Sequence, residues 1–435
     1  APADAPDAFE HALAEALLAE ATRRAPALAA FDTAAMDRAV ADFAEADVAR
    51  MSLARAEAVH AHAERVREVL AGRVAGLDVL RGEMEKRRNH LPVRELLRRA
   101  RDAVQAAKPV FLMSPLSVAQ FLTPGTGPEF DLLLIDEASQ VEPVDALGAL
   151  ARCRQIVVVG DDRQMPPTRF FQRLTGEEEG GEEEAAEDSP VAAREVESIL
   201  GLANARSIPR AMLRWHYRSR HESLIATSNA EFYENRLLVL PSPRGRTERL
   251  GLRLVRVAGA FDSGGSGTNA AEAEAVAQAV MAHARDCPGE SLGVAAFSIR
   301  QRDAILDALE RLRRESPDTE PFFAAHPEEP FFVKNLENVQ GDERDCIVIS
   351  VGYAPDANGR FAMRFGPLSA DGGERRLNVL ITRAKSRLVV FSGIGAEDID
   401  LSRTASRGVA ALRAFLAFAA SGARAAAPVG DGEGG

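Results

Sequence analysis

The sequence predicts an α/β protein built on parallel sheets and preceded by a long helical region. Three observations carry that prediction. Residues 7 to about 107 are dominated by Ala, Arg, Glu and Leu, with little internal Gly or Pro, which is a helix-forming composition. From Pro109 onward, short apolar runs alternate with amphipathic stretches, as buried parallel strands do in βα units. Two of those runs end in acidic or glycine-led polar strings, at the strand ends where open α/β sheets bind ligands.

Within the helical region, Met36, Val40, Phe43, Ala44, Val48 and Met51 fall in one arc at about 100° per residue. Asp47 interrupts that face. The arc fits helices packed as a stalk or bundle, or a coiled coil awaiting a partner. The expected strands are Val110 to Met113, Leu132 to Ile135, Ile156 to Val159, Leu292 to Phe297, Cys346 to Val351 and Leu388 to Phe391. Asn269 to Arg285 and Gln301 to Arg314 are the clearest crossover helices. Gly176 to Asp188 holds eight acids and no base and is expected to be a solvated, disordered loop. The Ala/Gly-rich stretch 421–435 is expected to be a disordered tail.

The formal net charge is −12 over 435 residues, which argues against a nucleic-acid partner only superficially. Without the eight acids of that one stretch, 57 acids face 53 bases. No apolar run approaches the ~18 residues of a membrane span. The opening residues are acidic and Pro/Ala-rich, unlike a secretory signal. Cys153, Cys287 and Cys346 show no metal-type spacing and suit a reducing cytoplasm.

Two strings carry chemistry. In Asp131 to Gln140 (DLLLIDEASQ), an apolar strand ends in Asp136 and Glu137. An Asp there can hold Mg2+, and the neighbouring Glu can deprotonate an attacking water. Both could instead cap the next helix. In Ile156 to Thr168 (IVVVGDDRQMPPT), a second strand exits through Gly160, and Pro166 and Pro167 stiffen the chain beyond it. Gln164 is thereby held on a rigid loop near Asp136, where its amide can orient a phosphate oxygen or a water.

In this order and spacing, the two strings resemble motifs II and III of superfamily 1 helicases, most closely the branch that contains the nonsense-mediated-decay helicase. Leu213 to Arg220 (LRWHYRSR) resembles the Tyr-Arg motif that opens the second lobe, followed by Ser228-Asn229 and Phe232-Tyr233. Gly293 to Phe297 with Gln301 resembles motif IV. Asn338 to Asp345 (NVQGDERD) resembles motif V, and Arg376 to Lys385 (RLNVLITRAK) motif VI. Met113 to Ser117 and Gly372 to Arg376 resemble a bacterial subgroup of large multidomain helicases. The resemblance spans roughly residues 80 to 420. Met165 stands where Leu is usual, and Phe297 where Tyr is common.

The resemblance implies two RecA-like lobes that sandwich ATP and Mg2+. The helical stalk or insertion would be 1–107, the rest of an incomplete first lobe 108–205, and the second lobe 206–420. Asp136 would position the metal, Glu137 activate water and Gln164 contact the γ-phosphate. Tyr217 would stack on adenine, Arg218 reach the phosphates and Glu343, beside Gly341, contact the ribose. Arg383 would be the arginine finger, a group that contributes roughly 10³–10⁵ in rate. Ser114, Ser117 and Gln301 are the candidates for gripping single-stranded nucleic acid, DNA ahead of RNA, through its backbone. The serines could equally cap a helix. A nuclease domain outside the chain is a further expectation for the parent.

One part is missing from the sequence. A phosphate loop needs Gly-Lys followed by Ser or Thr. Lys86, Lys108, Lys334 and Lys385 follow Glu85, Ala107, Val333 and Ala384, so no Gly-Lys pair exists. Together with a start at Ala1 rather than Met, this points to truncation of an ATP-driven helicase that alone turns over ATP poorly. The alternative is a pseudo-helicase, a nucleic-acid-binding module without catalysis.

Overall fold

A computed structural model describes residues 5–421 apart from 73, 123, 126, 168–197, 244, 246 and 248. The acidic stretch 176–188 and the tail beyond Ser421 lie outside the described residues. The chain forms two compact units, Ala1–Glu129 and Phe130–Gly435.

The first unit is helical, as its composition predicts. Its helices include Ala5–Arg24, Thr33–Ala71, Leu77–Glu85, Val93–Arg99, Arg101–Ala107 and Pro115–Phe121. Asp32 caps the 39-residue helix Thr33–Ala71 by accepting from the Ala34 amide at 2.9 Å. None of that helix's residues is buried. Its arc of Met36, Val40, Phe43, Val48 and Met51 faces solvent, so among the described residues nothing covers that face. The packed part of the unit is small, around Leu97, Ala100, Ala103, Val118 and Leu122. Gly76 matters here: it has φ +80°, and a Cβ on it would lie 2.4 Å from the Ala100 Cα.

Val110 to Met113 corrects the sequence expectation. The segment is not a strand, and Leu112 is 94% exposed. An apolar run becomes a strand only when a neighbour pairs its backbone, and among the described residues it has no such neighbour.

The second unit carries nine strands among its described residues: β1 Phe130–Ile135, β2 Cys153–Val158, β3 Trp215–His216, β4 Leu238–Val239, β5 Gly251–Arg256, β6 Leu292–Ala296, β7 Phe332–Asn335, β8 Arg344–Ser350 and β9 Ala384–Ser392. They form three parallel sheets, β1-β2, β3-β4 and β5-β9-β8-β6-β7. The α/β class with parallel sheets and a helical N-terminal region is therefore the observed one.

The five-stranded sheet is covered on both faces, as parallel sheets require. Alternate residues of β8 divide between them. Ile347 and Ile349 pack with Leu377, Leu380, Leu412 and Phe415. Cys346 and Val348 pack with Val276, Val280, Ile305 and Leu309 of helices Ala270–Asp286 and Ile299–Glu315. The two-stranded sheet β1-β2 differs. Ile135 on one face joins a small cluster with Ala138, Ala146 and Ile199. On the other face, Leu132 and Leu134 are 50% and 59% exposed, and Val157 and Val159 are exposed beside them.

Candidate functional site

The ends of β1 and β2 are tied together. Val159 donates its amide to the Ile135 carbonyl at 2.8 Å, and Ala138 donates to the Val159 carbonyl at 2.9 Å. Gly160 suits this closure, because a Cβ there would crowd the Ser139 and Ala138 amide nitrogens at 3.0 and 3.1 Å. Glu137 turns the chain out of β1 with φ +51°, a left-handed conformation rare for a residue with a side chain. Its amide donates to the Asp136 carboxylate at 2.9 Å, and Gln140 donates to its carboxylate at 3.1 Å. Both acids are exposed.

The loop after β2 is folded around Asp161. One carboxylate oxygen accepts from the Arg163 amide at 2.9 Å, and the other from Gln164 Nε2 at 3.0 Å.

Later in the chain, β3 leads into Tyr217, which is 93% exposed. Arg218 Nε donates to Glu343 at 2.7 Å, and its Nη1 to the Thr382 carbonyl at 3.3 Å. Burial raises the pKa of Glu343, but Arg218 and Lys385 outweigh it and hold the carboxyl below its usual range. Burial, then the charge of Arg218, push His216 down to about 4, so it is neutral at physiological pH. Gly341, with φ +86°, leaves open space beside motif V. Arg383 is buried and turned toward its own helix, donating to the Val379 carbonyl at 2.7 Å and Thr382 Oγ1 at 3.0 Å. Burial, then the nearby Arg218 charge, push it down to about 10, so it stays cationic at neutral pH.

Asp136, Glu137, Gln164, Tyr217, Arg218 and Thr382 line one cavity of about 710 Å3. That volume lies within the roughly 300–1,000 Å3 usual for small-ligand sites. Arg163, Arg210 and Arg236 also line it, so acids that could hold a metal face guanidiniums that could hold phosphates. The donor set thus fits a metal-bound polyphosphate. Glu343 and Arg383 do not line the cavity and adjoin it through Arg218 and Thr382.

The three remaining sequence candidates are not part of this cavity. Ser114 caps helix Pro115–Phe121 by accepting from the Ser117 amide at 3.2 Å, and its hydroxyl donates to Ser117 at 3.0 Å. Gln301 is buried. Its amide accepts from the Asn269 N–H at 2.9 Å and donates to the Asn269 carbonyl and Ser350 Oγ, each at 3.2 Å. As placed, it braces helix Ala270–Asp286 against the end of β8 and has no exposed amide for a nucleic acid.

Sequence reasoning gave no role to Asp161, Tyr233 or Asn378, which join the β2 loop to later elements. It also missed a group of His283, Cys287 and Glu290, whose ligand atoms lie within 4.8 Å of one another. Arg387 donates to His283 Nδ1 at 2.7 Å, and the other ring nitrogen is paired with the Glu290 carbonyl at 2.9 Å. A guanidinium already holds that cluster together.

Comparison with known proteins shows what the chain is similar to. Two family models, each described as an AAA domain, match residues 112–171 and 196–394. An uncharacterized ATP-dependent helicase of Mycoplasma genitalium is 34% identical over 317 residues, and its Mycoplasma pneumoniae homologue 33% identical over 319. Each alignment covers 71% of this chain and 27% of the relative, so the chain spans about a quarter of their length. Among solved structures, a PRRSV helicase overlaps 63% of this chain and 37% of its own, at 13% identity and a TM-score of 0.29, too little to carry any inference. No helix among the described residues is long and apolar enough to cross a membrane. The chain thus matches two AAA-domain models and, over 71% of its length, is similar to part of two ATP-dependent helicases.

Proposed function

We propose that the chain is part of the motor region of an ATP-dependent helicase or translocase acting on single-stranded nucleic acid, DNA ahead of RNA, with its first lobe incomplete. The observation that carries this reading is that Asp136, Glu137, Tyr217 and Arg218 line the same cavity. When bound, Mg-ATP would supply the phosphoanhydride whose cleavage drives movement. Asp136 would hold the metal through a hard carboxylate oxygen. Glu137, at the same strand end, would take a proton from water. Tyr217 offers an exposed ring for base stacking, and Arg218 a guanidinium for phosphate. Arg218 would have to exchange Glu343 for that phosphate, and Arg383 would have to turn from Val379 to act as a finger. Ser114 and Ser117 remain the proposed backbone contacts for nucleic acid, with Gln301 acting indirectly as a brace.

Incompleteness of the lobe is supported by β1-β2. Among the described residues, nothing covers the face of this parallel sheet that exposes Leu132, Leu134, Val157 and Val159, whereas such sheets are usually covered on both faces. The inward-turned Arg383 favours a second reading, a binding module without hydrolysis. Nucleic-acid-stimulated phosphate release by the full-length protein separates the two. Turnover that rises with added single strands supports the motor. Binding of single strands without turnover supports the second reading.

A further inference from the structure

Tyr233 lies immediately after helix Ala226–Phe232 and crosses to the β2 loop. Its hydroxyl donates to Asp161 Oδ2 at 2.6 Å. Burial first, then the negative charge of Asp161, push the phenol pKa up, so the hydroxyl remains a donor at all physiological pH. The same oxygen accepts from Asn378 Nδ2 at 3.0 Å, and that amide also donates to the Arg163 carbonyl at 2.9 Å. Ser228 donates its hydroxyl to Asn378 Oδ1. Two side chains, Tyr233 beside helix Ala226–Phe232 and Asn378 of helix Gly373–Ile381, thus grip the loop that carries Gln164, and Ser228 holds Asn378 in place.

The grip has a chemical consequence. A carboxylate can only accept, so the end of the Gln164 amide held at 3.0 Å by Asp161 must be its nitrogen. The carbonyl oxygen is the end left for the cavity that Gln164 lines. A carbonyl oxygen there accepts a hydrogen bond from a water and repels a phosphate oxygen.

We propose that Tyr233, with Asn378, is a positioning residue that holds Asp161 so that Gln164 turns its carbonyl oxygen toward the attacking water. The inference deepens, and rests on, the nucleotide-hydrolysis reading. It makes the water-orienting group dependent on contact between the β2 loop and the motif VI helix Gly373–Ile381. Movement of that helix would withdraw Asn378 from the Tyr233 hydroxyl and the Arg163 carbonyl, loosening the hold on Asp161 and freeing the Gln164 amide to rotate. Hydrolysis would then be tied to the contact, with no added group at the site.

The test uses full-length protein and Tyr233→Phe, which removes the hydroxyl and keeps the ring. Hydrogen exchange without nucleotide is expected to quicken about tenfold at the Arg163 and Gln164 amides, because local opening is easier once the clamp is lost. The kcat for ATP is expected to fall about tenfold with KM within about twofold, as for loss of an interaction made only in the transition state. Gln164→Ala should lower kcat further, and adding Tyr233→Phe to it should change nothing more. A wild-type kcat in Tyr233→Phe overturns the inference whatever the exchange shows. So does a joint loss of kcat, KM and melting temperature, which would mark a structural role alone. If the unsubstituted protein binds nucleic acid but shows no turnover, the nucleotide-hydrolysis reading itself falls, and this inference with it.

Discussion

Arg218 Nε sits 2.7 Å from a Glu343 carboxylate oxygen, and Lys385 Nζ lies 3.3 Å from the other. Two groups expected to touch different parts of a nucleotide are here paired with each other. The Arg218 guanidinium is about one-third exposed, so the pair is neither deeply buried nor freely solvated. Nucleotide entry exchanges one partner of Arg218 for another, which needs little desolvation.

Arg218→Ala in the full-length protein should therefore lower kcat by about 10²–10³, the usual loss for one preorganised donor at a developing charge. Melting temperature should change little, because an exposed pair contributes about 0–1 kcal/mol. Steady-state phosphate release and thermal unfolding check both. A large loss of stability would make Arg218 a structural strut.

Glu272 gives a pH prediction. It is buried at the start of helix Ala270–Asp286, accepting from Gly352 N and Ser350 Oγ, each at 2.7 Å, and from Gly393 N at 3.1 Å. Burial pushes its carboxyl up to about 7 against the pull of those hydrogen bonds. Its folded pKa lies above the unfolded carboxyl value of about 4.3, so between them the folded state binds the extra proton. This group's contribution to stability is full below that unfolded value and is lost as pH rises through 7. Denaturant unfolding should show the stability of the unsubstituted protein relative to Glu272→Gln highest near about pH 4 and falling steadily toward about pH 8. A gap that widens with pH would contradict the assignment.

On the incomplete-lobe reading proposed above, the β1-β2 face left open among the described residues distinguishes this chain from a longer protein that contains it. Leu134→Ala should cost the 435-residue chain no more than about 0.5 kcal/mol, as at exposed sites. In the full-length protein the same change should cost about 2–5 kcal/mol, as for a buried Leu. Urea unfolding of both proteins gives the comparison. Equal, small losses would mean that nothing covers this face.

Much of this architecture is legible in the sequence, for physical reasons that also mark where legibility stops. Parallel strands buried on both faces must be apolar along their length, so β6, β8 and β9 stand out. β5 and β7 carry Arg253, Arg256 and Lys334 because they form the sheet edges, and edge strands tolerate charge. Those charges hide both strands from a search for apolar runs. Val110 to Met113 is as apolar as a strand but has none to pair with among the described residues, and pairing depends on a neighbour. Asp136, Glu137, Gln164, Tyr217 and Arg218 meet at one cavity as their motif order implies. The bond between Asp161 and Tyr233 joins residues 72 apart, and no local pattern announces it.

The proposed hydrolysis depends most on Glu137 activating water beside Asp136, the residue proposed to hold the metal. Glu137→Gln in the full-length protein keeps the side chain's size and a hydrogen-bond acceptor but removes its capacity as a base. The decisive measurement is single-strand-stimulated phosphate release, made alongside nucleotide titration of the same variant. Turnover should fall by at least about 10²-fold, the lower range for loss of a general base, with nucleotide affinity close to that of the unsubstituted protein. Turnover near the unsubstituted rate would remove Glu137 as the base and contradict the hydrolytic assignment of this strand end.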